Sequence, residues 1–287
     1  MEYISKKDIK LPKRKRDSKK GDNGKVLVIG GSKDYTGAVA LAGLAALRSG
    51  ADWVTVAAPE KAGWAINALT PDLVVKKYKG DDFCASRAKG LLKEEKKYDA
   101  VLIGNGIGMH ASSFVKKYVK ESKKLLVIDA DGIKASSAGI VKNSIITPHT
   151  KELEIFLSNS GISMPIIKKI INEQDIEKKA LLIKKTLKNF LEKNNIILLK
   201  GRIDAIISKG RVYYNKTGNA GMTKAGTGDV LAGLTAGFLA QSKNLLQSAV
   251  NAAYFNGLIG DILLKKKKGF AYLASDMVYE IKRILKG

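Results

Sequence analysis

The stretch GKVLVIGGSKDYTGAVALAGLAALRSGADWVTVAAP, residues 24–59, decides the fold. KVLVIGG (25–31) is an unbroken apolar run closed by two glycines, the pattern of a strand buried on both faces. Residues 37–50 then place alanine, leucine and glycine at helical spacing, small side chains suited to close packing. WVTVAAP (53–59) is the next apolar strand. Strands that alternate with helices mean a parallel sheet covered on both faces.

Outward from this unit the pattern repeats. A short helix is predicted at 62–69, and DAVLIG (99–104), LLVIDAD (125–131), SIITPH (144–149) and IILLKG (196–201) each end in a polar or glycine-rich turn. A lysine-rich amphipathic helix is predicted over 176–194. DAIIS and RVYYN flank Lys209-Gly210 as a β-hairpin. Helices at 229–241, 244–265 and about 273–286 close the chain. No Pro/Gly/Ser linker, repeat or low-complexity block interrupts it. The expected organisation is a basic N-terminal extension, 1–20, and a single domain, 21–287. The expected class is α/β, a three-layer αβα fold with a mostly parallel central sheet.

Apolar content of 45% with five prolines in 287 residues describes a globular protein. No apolar run approaches the roughly 20 residues that span a bilayer. Met1 is followed by charge without an apolar signal core, so the expected location is cytoplasmic. A single cysteine, Cys84, excludes an intramolecular disulfide and a cysteine-rich metal site. The net charge of +24 comes from lysine spread along the whole chain, denser in KLPKRKRDSKK (10–20) and KKKK (265–268). Neither cluster is interleaved with aromatic residues, which argues against nucleic acid as the partner. A basic field equally attracts polyphosphate metabolites.

Ligands of open α/β sheets bind beyond the carboxyl ends of the strands. Those ends carry Gly30-Gly31-Ser32, the turn GNGIG (104–108), Asp129-Ala130-Asp131, Thr147-Pro148-His149, Lys200-Gly201-Arg202 and the stretch GNAGMTKAGTGDVLAG (218–233). GNGIG lacks the third glycine of the dinucleotide fingerprint, and no G-x-x-x-x-G-K-[ST] exists. In the last stretch, Gly226-Thr227-Gly228-Asp229 precedes an apolar helix. Glycines there let backbone N–H groups converge on an anion, and the helix start adds unpaired donors and partial positive charge. Asp229 is placed to take a proton from an attacking hydroxyl; it is equally the residue type that caps a helix. Glycine density beyond what a cap needs favours the first role. His110 has no partner motif and is read as structural.

GNAGMTKAGTGDVLAG, together with the first βαβ unit and LIGNGIG, VIDADGI, ITPHTKEL and LLKG in order, resembles the ADP/ATP-dependent NAD(P)H-hydrate dehydratases of the ribokinase-like superfamily. The resemblance covers residues 20–285. It departs at Ala220, where proline is usual, and at Ala225, where a glycine usually precedes GTGD; a methyl at 225 is expected to narrow the anion pocket.

The resemblance implies dehydration of the S form of NADHX or NADPHX at the expense of ADP (ATP in eukaryotic members). The products are NAD(P)H, AMP and phosphate, formed through a phosphorylated hydrate. It implies that Ala38, Gly106, Gly108, His149 and Asp229 meet the hydrate. Lys200, Gly201, Arg202, Ile203, Asp204 and Gly228 are to line the ADP/AMP site. Asp229 is to act as the catalytic acid–base group with Gly226 and Gly228 beside it, and Glu152 to face Mg²⁺ through water. A separate NAD(P)HX epimerase and self-association are the implied partners. Two other classes stay open: a ribokinase-like kinase of a thiazole or pyrimidine alcohol, and a non-enzymatic basic nucleotide or RNA binder.

Overall fold

The computed structural model describes residues 1–267 and 269–285. Lys268 of the KKKK cluster and Lys286 of the predicted terminal helix lie outside the described residues. The chain runs β1 (Lys25–Ile29), α1 (Thr36–Arg48), β2 (Trp53–Pro59), α2 (Glu60–Leu69), β3 (Val74–Tyr78), α3 (Ala88–Glu94), β4 (Ala100–Ile103) and α4 (Ser112–Glu121). It continues β5 (Leu125–Ile128), α5 (Asp131–Lys134), β6 (Ser144–Ile146), α6 (Thr150–Asn159), α7 (Met164–Asn172), α8 (Ile176–Thr186) and α9 (Lys188–Glu192). It ends β7 (Ile196–Leu199), β8 (Asp204–Ile207), β9 (Val212–Asn215), α10 (Thr227–Ser242), α11 (Leu245–Lys266) and α12 (Ala274–Ile284).

The strands form one sheet in the order β3-β2-β1-β4-β5-β6-β7-β8-β9. The first seven strands pair in parallel, and β8 and β9 turn antiparallel at one edge. Strand side chains alternate between faces, and the sequence obeys this strictly. Val26 and Val28 of β1 enter a core with α1, α10, α11 and α12, while Leu27 and Ile29 enter a second core with α3, α4 and α6 to α9. This is the expected three-layer αβα arrangement with a mostly parallel sheet.

One detail differs from the sequence expectation and two add to it. The helix predicted over 176–194 is broken at Leu187, whose ψ of 28° ends α8 before α9 begins. The edge strand β3, VVKKY, carries two lysines and no buried side chain, so it gave no apolar signal. The N-terminal extension, 1–20, is fastened to the sheet edge and to α11: the Ile4 amide donates to the Tyr214 carbonyl (2.8 Å) and the Asn251 side chain donates to the Lys10 carbonyl (2.9 Å).

The helix α10 is apolar on nearly every side and lies between the sheet, α1 and α11. Its contact with α1 runs through glycine. A methyl at Gly233 would overlap the Ala42 carbonyl, and one at Gly237 the Ser49 hydroxyl and the Ala46 carbonyl.

Candidate functional site

Strand order reverses direction between β1 and β4, so the crevice beyond their carboxyl ends is the natural ligand position. Two loops build it. The Gly31 amide donates to the Asn105 carbonyl (2.9 Å), and a Cβ at Gly30 would overlap that same carbonyl. Gly106 has φ +63°, and a Cβ there would lie 2.7 Å from the Tyr35 carbonyl and 3.3 Å from Cβ of Ala38. Glycine is therefore required for the β4 loop to lie against the start of α1. The Gly108 amide donates to Asp131 Oδ2 (3.1 Å), which ties the loop to α5. Ala38, Gly106 and Gly108, expected as hydrate contacts, are thus gathered at the switch point.

Beside the crevice the strand ends bring a chain of polar groups together. Asp129, buried after β5, accepts from the Thr147 hydroxyl (2.7 Å) and from Lys200 Nζ (3.0 Å) on Oδ1. Its Oδ2 accepts from Asn105 Nδ2 (2.9 Å). The same nitrogen donates to Asp229 Oδ1 (2.6 Å). Lys200 also approaches Glu152 Oε2 (3.5 Å). Burial pulls the Lys200 ammonium down, but Asp129 and Glu152 more than offset this and its pKa lies above the usual value. Asn105 and Asp129 were not assigned to the site from sequence. Asn105 entered only as part of the GNGIG turn and Asp129 only as part of the strand end Asp129-Ala130-Asp131, neither with a role of its own.

His149 and Glu152 close on each other as a capping box at the start of α6. The His149 amide donates to Glu152 Oε2 (2.9 Å), and His149 Nδ1 accepts from the Lys151 and Glu152 amides (3.1 and 3.4 Å). His149 therefore has a structural task on its Nδ1 side, while half of its side chain stays exposed. Among the described residues no group of three His, Cys, Asp or Glu side chains converges as a metal cage. Glu152 is a single carboxylate already shared with Lys200 and the His149 amide.

The helix α10 begins two residues earlier than the sequence suggested. Gly226 is its N-cap, with φ +93° in the left-handed region, and Asp229 is the third helical residue. Asp229 is thus not the cap, and the competing explanation for this acid falls away. A Cβ at Gly226 would lie 2.7 Å from Ala274 Cβ and 2.9 Å from Leu41 Cδ1, so the cap admits no side chain. The Thr227 amide bonds the Lys224 carbonyl (3.4 Å), whereas the amides of Gly226, Gly228 and Asp229 have no protein partner among the described residues. Free donors at a helix start are the chemistry that suits an anion, and this group is the candidate anion nest. Lys200 Nζ lies 3.5 Å from where a Gly228 Cβ would stand, so an ammonium flanks the nest. The Asp229 carboxyl is pushed up to about 6, first by burial and then by Asp129, with Asn105 and Lys200 pulling it back. At neutral pH such a group is ionised yet basic enough to take a proton.

Next to the nest opens a cavity of about 570 Å³ between the β7–β8 turn and the loop at 217–223. Lys200, Gly201, Arg202, Asp204 and Gly228 line it. Ile203, expected with them, is absent from the lining and packs instead against the core on the α6–α9 face. Adjacent residues in this extended turn point apart, which the motif alone does not reveal. Asp204 accepts from the Gly201 amide (3.0 Å) and from Asn215 Nδ2 (3.0 Å), bracing the turn. Burial pushes its carboxyl up to about 6 as well. Ala225, where a methyl was expected to narrow the anion pocket, is exposed and is not among the residues that line the cavity.

A mostly parallel sheet with an antiparallel edge hairpin, and a glycine-capped helix start over the strand ends, define a ribokinase-like protein. A ribokinase-like superfamily protein of Enterococcus faecalis shares the architecture at a TM-score of 0.80 and 27% identity, over 98% of this chain and 94% of that one. The chain belongs to the NAD(P)H-hydrate dehydratase family, whose model matches residues 26–283. The ADP-dependent (S)-NAD(P)H-hydrate dehydratase of Cenarchaeum symbiosum is 34% identical over 96% of this chain and 93% of its own length. The ADP/ATP-dependent NAD(P)H-hydrate dehydratase of Bacillus subtilis, co-crystallised with ATP and Mg²⁺, is 25% identical with a TM-score of 0.76, over 96% of this chain and 95% of that one. The chain spans about half the length, 52%, of the first curated relatives it matches, the bifunctional NAD(P)H-hydrate repair enzymes. No helix among the described residues is long and apolar enough to cross a membrane.

Proposed function

We propose that the protein dehydrates the S form of NADHX or NADPHX to NADH or NADPH, consuming ADP and releasing AMP and phosphate. The observation that carries this reading is the position of Asp229. A half-buried carboxyl pushed up to about 6 stands on the first turn of a helix whose Thr227 and Gly228 line the cavity, and it is tied through Asn105 to the loop of the switch-point crevice.

Hydroxide is a poor leaving group and phosphate a good one. With ADP along Lys200, Gly201, Arg202 and Asp204, the terminal phosphoryl group meets the Gly228 and Asp229 amides and the Lys200 ammonium. These hold the charge that spreads over its oxygens in transfer. The hydrate lies in the crevice against Ala38, Gly106 and Gly108, with His149 at its rim. Asp229 takes the proton of the ring hydroxyl as its oxygen accepts the phosphoryl group. The ring nitrogen then drives out phosphate, a proton leaves the neighbouring ring carbon, and the double bond is restored. Mg²⁺ bound with the nucleotide would supply neutralisation of the phosphate charge. One carboxylate, Glu152, suits this through water, because Mg²⁺ keeps several waters and needs few protein ligands.

An epimerase activity, fused or separate, is the functional partner, since only one epimer of the hydrate is consumed. Self-association belongs to the same reading; Trp64 and Leu69 on α2 and Leu181 on α8 are exposed apolar side chains where it is to be sought. The test supplies NADHX or NADPHX with ADP or ATP in parallel and follows the return of the reduced-nicotinamide absorbance. Recovery with ADP supports the reading. A stably phosphorylated alcohol product, or salt-dependent RNA retention without turnover, would replace it by a kinase or a nucleic-acid binder.

A further inference from the structure

We infer that Asn105 is the positioning residue of the site: its side-chain amide holds the Asp129 and Asp229 carboxylates on one nitrogen and so fixes Asp229 toward the substrate hydroxyl. The inference rests on the proposed dehydratase reading for what Asp229 does, though not for how Asn105 holds it. Asn105 is fully buried, and Nδ2 donates both of its protons, to Asp129 Oδ2 (2.9 Å) and to Asp229 Oδ1 (2.6 Å). Its Oδ1 is buried without any partner. Rotating the amide by half a turn would put that oxygen against two carboxylates, so the donor side dictates the orientation and the acceptor is left orphaned. A buried acceptor is ordinarily satisfied. Here two carboxylates, one just after β5 and one on α10, share a single amide donor.

The charged groups around Asp229 make this placement necessary. Asp129 from β5 and Glu152 from α6 oppose its ionisation. Lys200 from β7 favours it, but is itself shared between Asp129 and Glu152. His149 at the start of α6 faces Glu152 rather than Asp229. Asn105 is therefore the one neutral group in contact with the Asp229 carboxylate that stabilises its charged form.

The test compares wild type with Asn105→Leu, which keeps the volume, and Asn105→Asp, which adds a third carboxylate. The ¹³C carboxyl signal of Asp229, assigned with Asp229→Asn, is titrated without substrate. Turnover of the hydrate with ADP is measured from pH 5 to 9. The expected result is that the Asp229 titration and the acidic limb of kcat/KM both move up by about one pH unit in Asn105→Leu, and further in Asn105→Asp. Turnover at pH 7 is expected to fall by about 10²-fold where the acid is also misplaced, and to recover in part as the pH is raised. Both variants are to be taken only with wild-type circular dichroism. Should the limb and the titration coincide with wild type while the rate falls, Asn105 is a packing residue and the inference is overturned. Should wild type fail to turn over any hydrate, the dehydratase reading fails instead, and the carboxyl titration alone decides the role of Asn105.

Discussion

Two carboxyls, Asp229 at the start of α10 and Asp204 at the start of β8, are both raised by burial to about 6, yet they are held in opposite ways. Asp204 has a donor on each oxygen, from Gly201 and Asn215, and braces the turn of the nucleotide cavity. Asp229 has one donor, Asn105, and a second carboxylate, Asp129, on that same donor. A raised pKa is therefore not a role in itself. What separates the two is the oxygen left unengaged: Asp229 keeps one for a substrate, and Asp204 keeps none.

The largest test of the contrast is Asp229→Asn, which should lower kcat with ADP by about 10²–10⁴-fold, the usual cost of losing a general base. Near-wild-type turnover would remove Asp229 from the chemistry. The same variant sharpens the contrast through stability. Both acids hold their protons to higher pH folded than unfolded, so the stability they contribute is complete below the ordinary carboxylate value of 3.8 and is lost as the pH rises through about 6. At pH 7 Asp229→Asn should be the more stable protein, by about 2–3 kcal/mol, and thermal melts should show the gap closing toward pH 4. Equal melts at pH 7 would mean that the carboxyl titrates normally.

Asp204→Ala strikes the other side. It takes the acceptor from the exposed Gly201 amide and one of the acceptors of Asn215 Nδ2, which keeps the Ala253 carbonyl (3.1 Å), so the turn of the cavity loses its brace. We expect a higher KM for ADP, with kcat nearly kept; a collapse of kcat would make the two acids alike after all. Smallest of all, Ala225→Gly should change kcat/KM by no more than about twofold, within the range of exposed substitutions. A larger gain would return the methyl at 225 to the anion pocket.

The central strands were legible because β1, β2, β4, β5 and β7 are apolar on both faces and end in glycine or polar turns. The edge was not, because β3 exposes its lysines and reads as loop. Helices α3, α4 and α7 passed unnamed among the lysines on their exposed positions, and α6 went unread as well. At the site, glycines and acids announced themselves through spacing, since few other functions need them there. Asn105 did not: asparagine is an ordinary turn residue, and only the fold shows that residues 105, 129 and 229 meet. The start of α10 was misplaced by two residues because Thr227 and Gly228 are poor helix formers, while the first turn is set by Gly226 and by packing on α1 and α12.

The glycine contact between α10 and α1 reaches further than packing. Ala38 rides on the first turn of α1 and Asp229 on the first turn of α10, and Gly233 and Gly237 lock the two helices at backbone distance. The gap between proton acceptor and crevice wall is thus gauged inside the core, by side chains that are missing. One methyl added at Gly233, a full helical turn from Asp229, would act as a shim between two tool holders. Tolerance of the chemistry to mutation is then set as much by the volume of a buried seam as by any residue that touches a ligand.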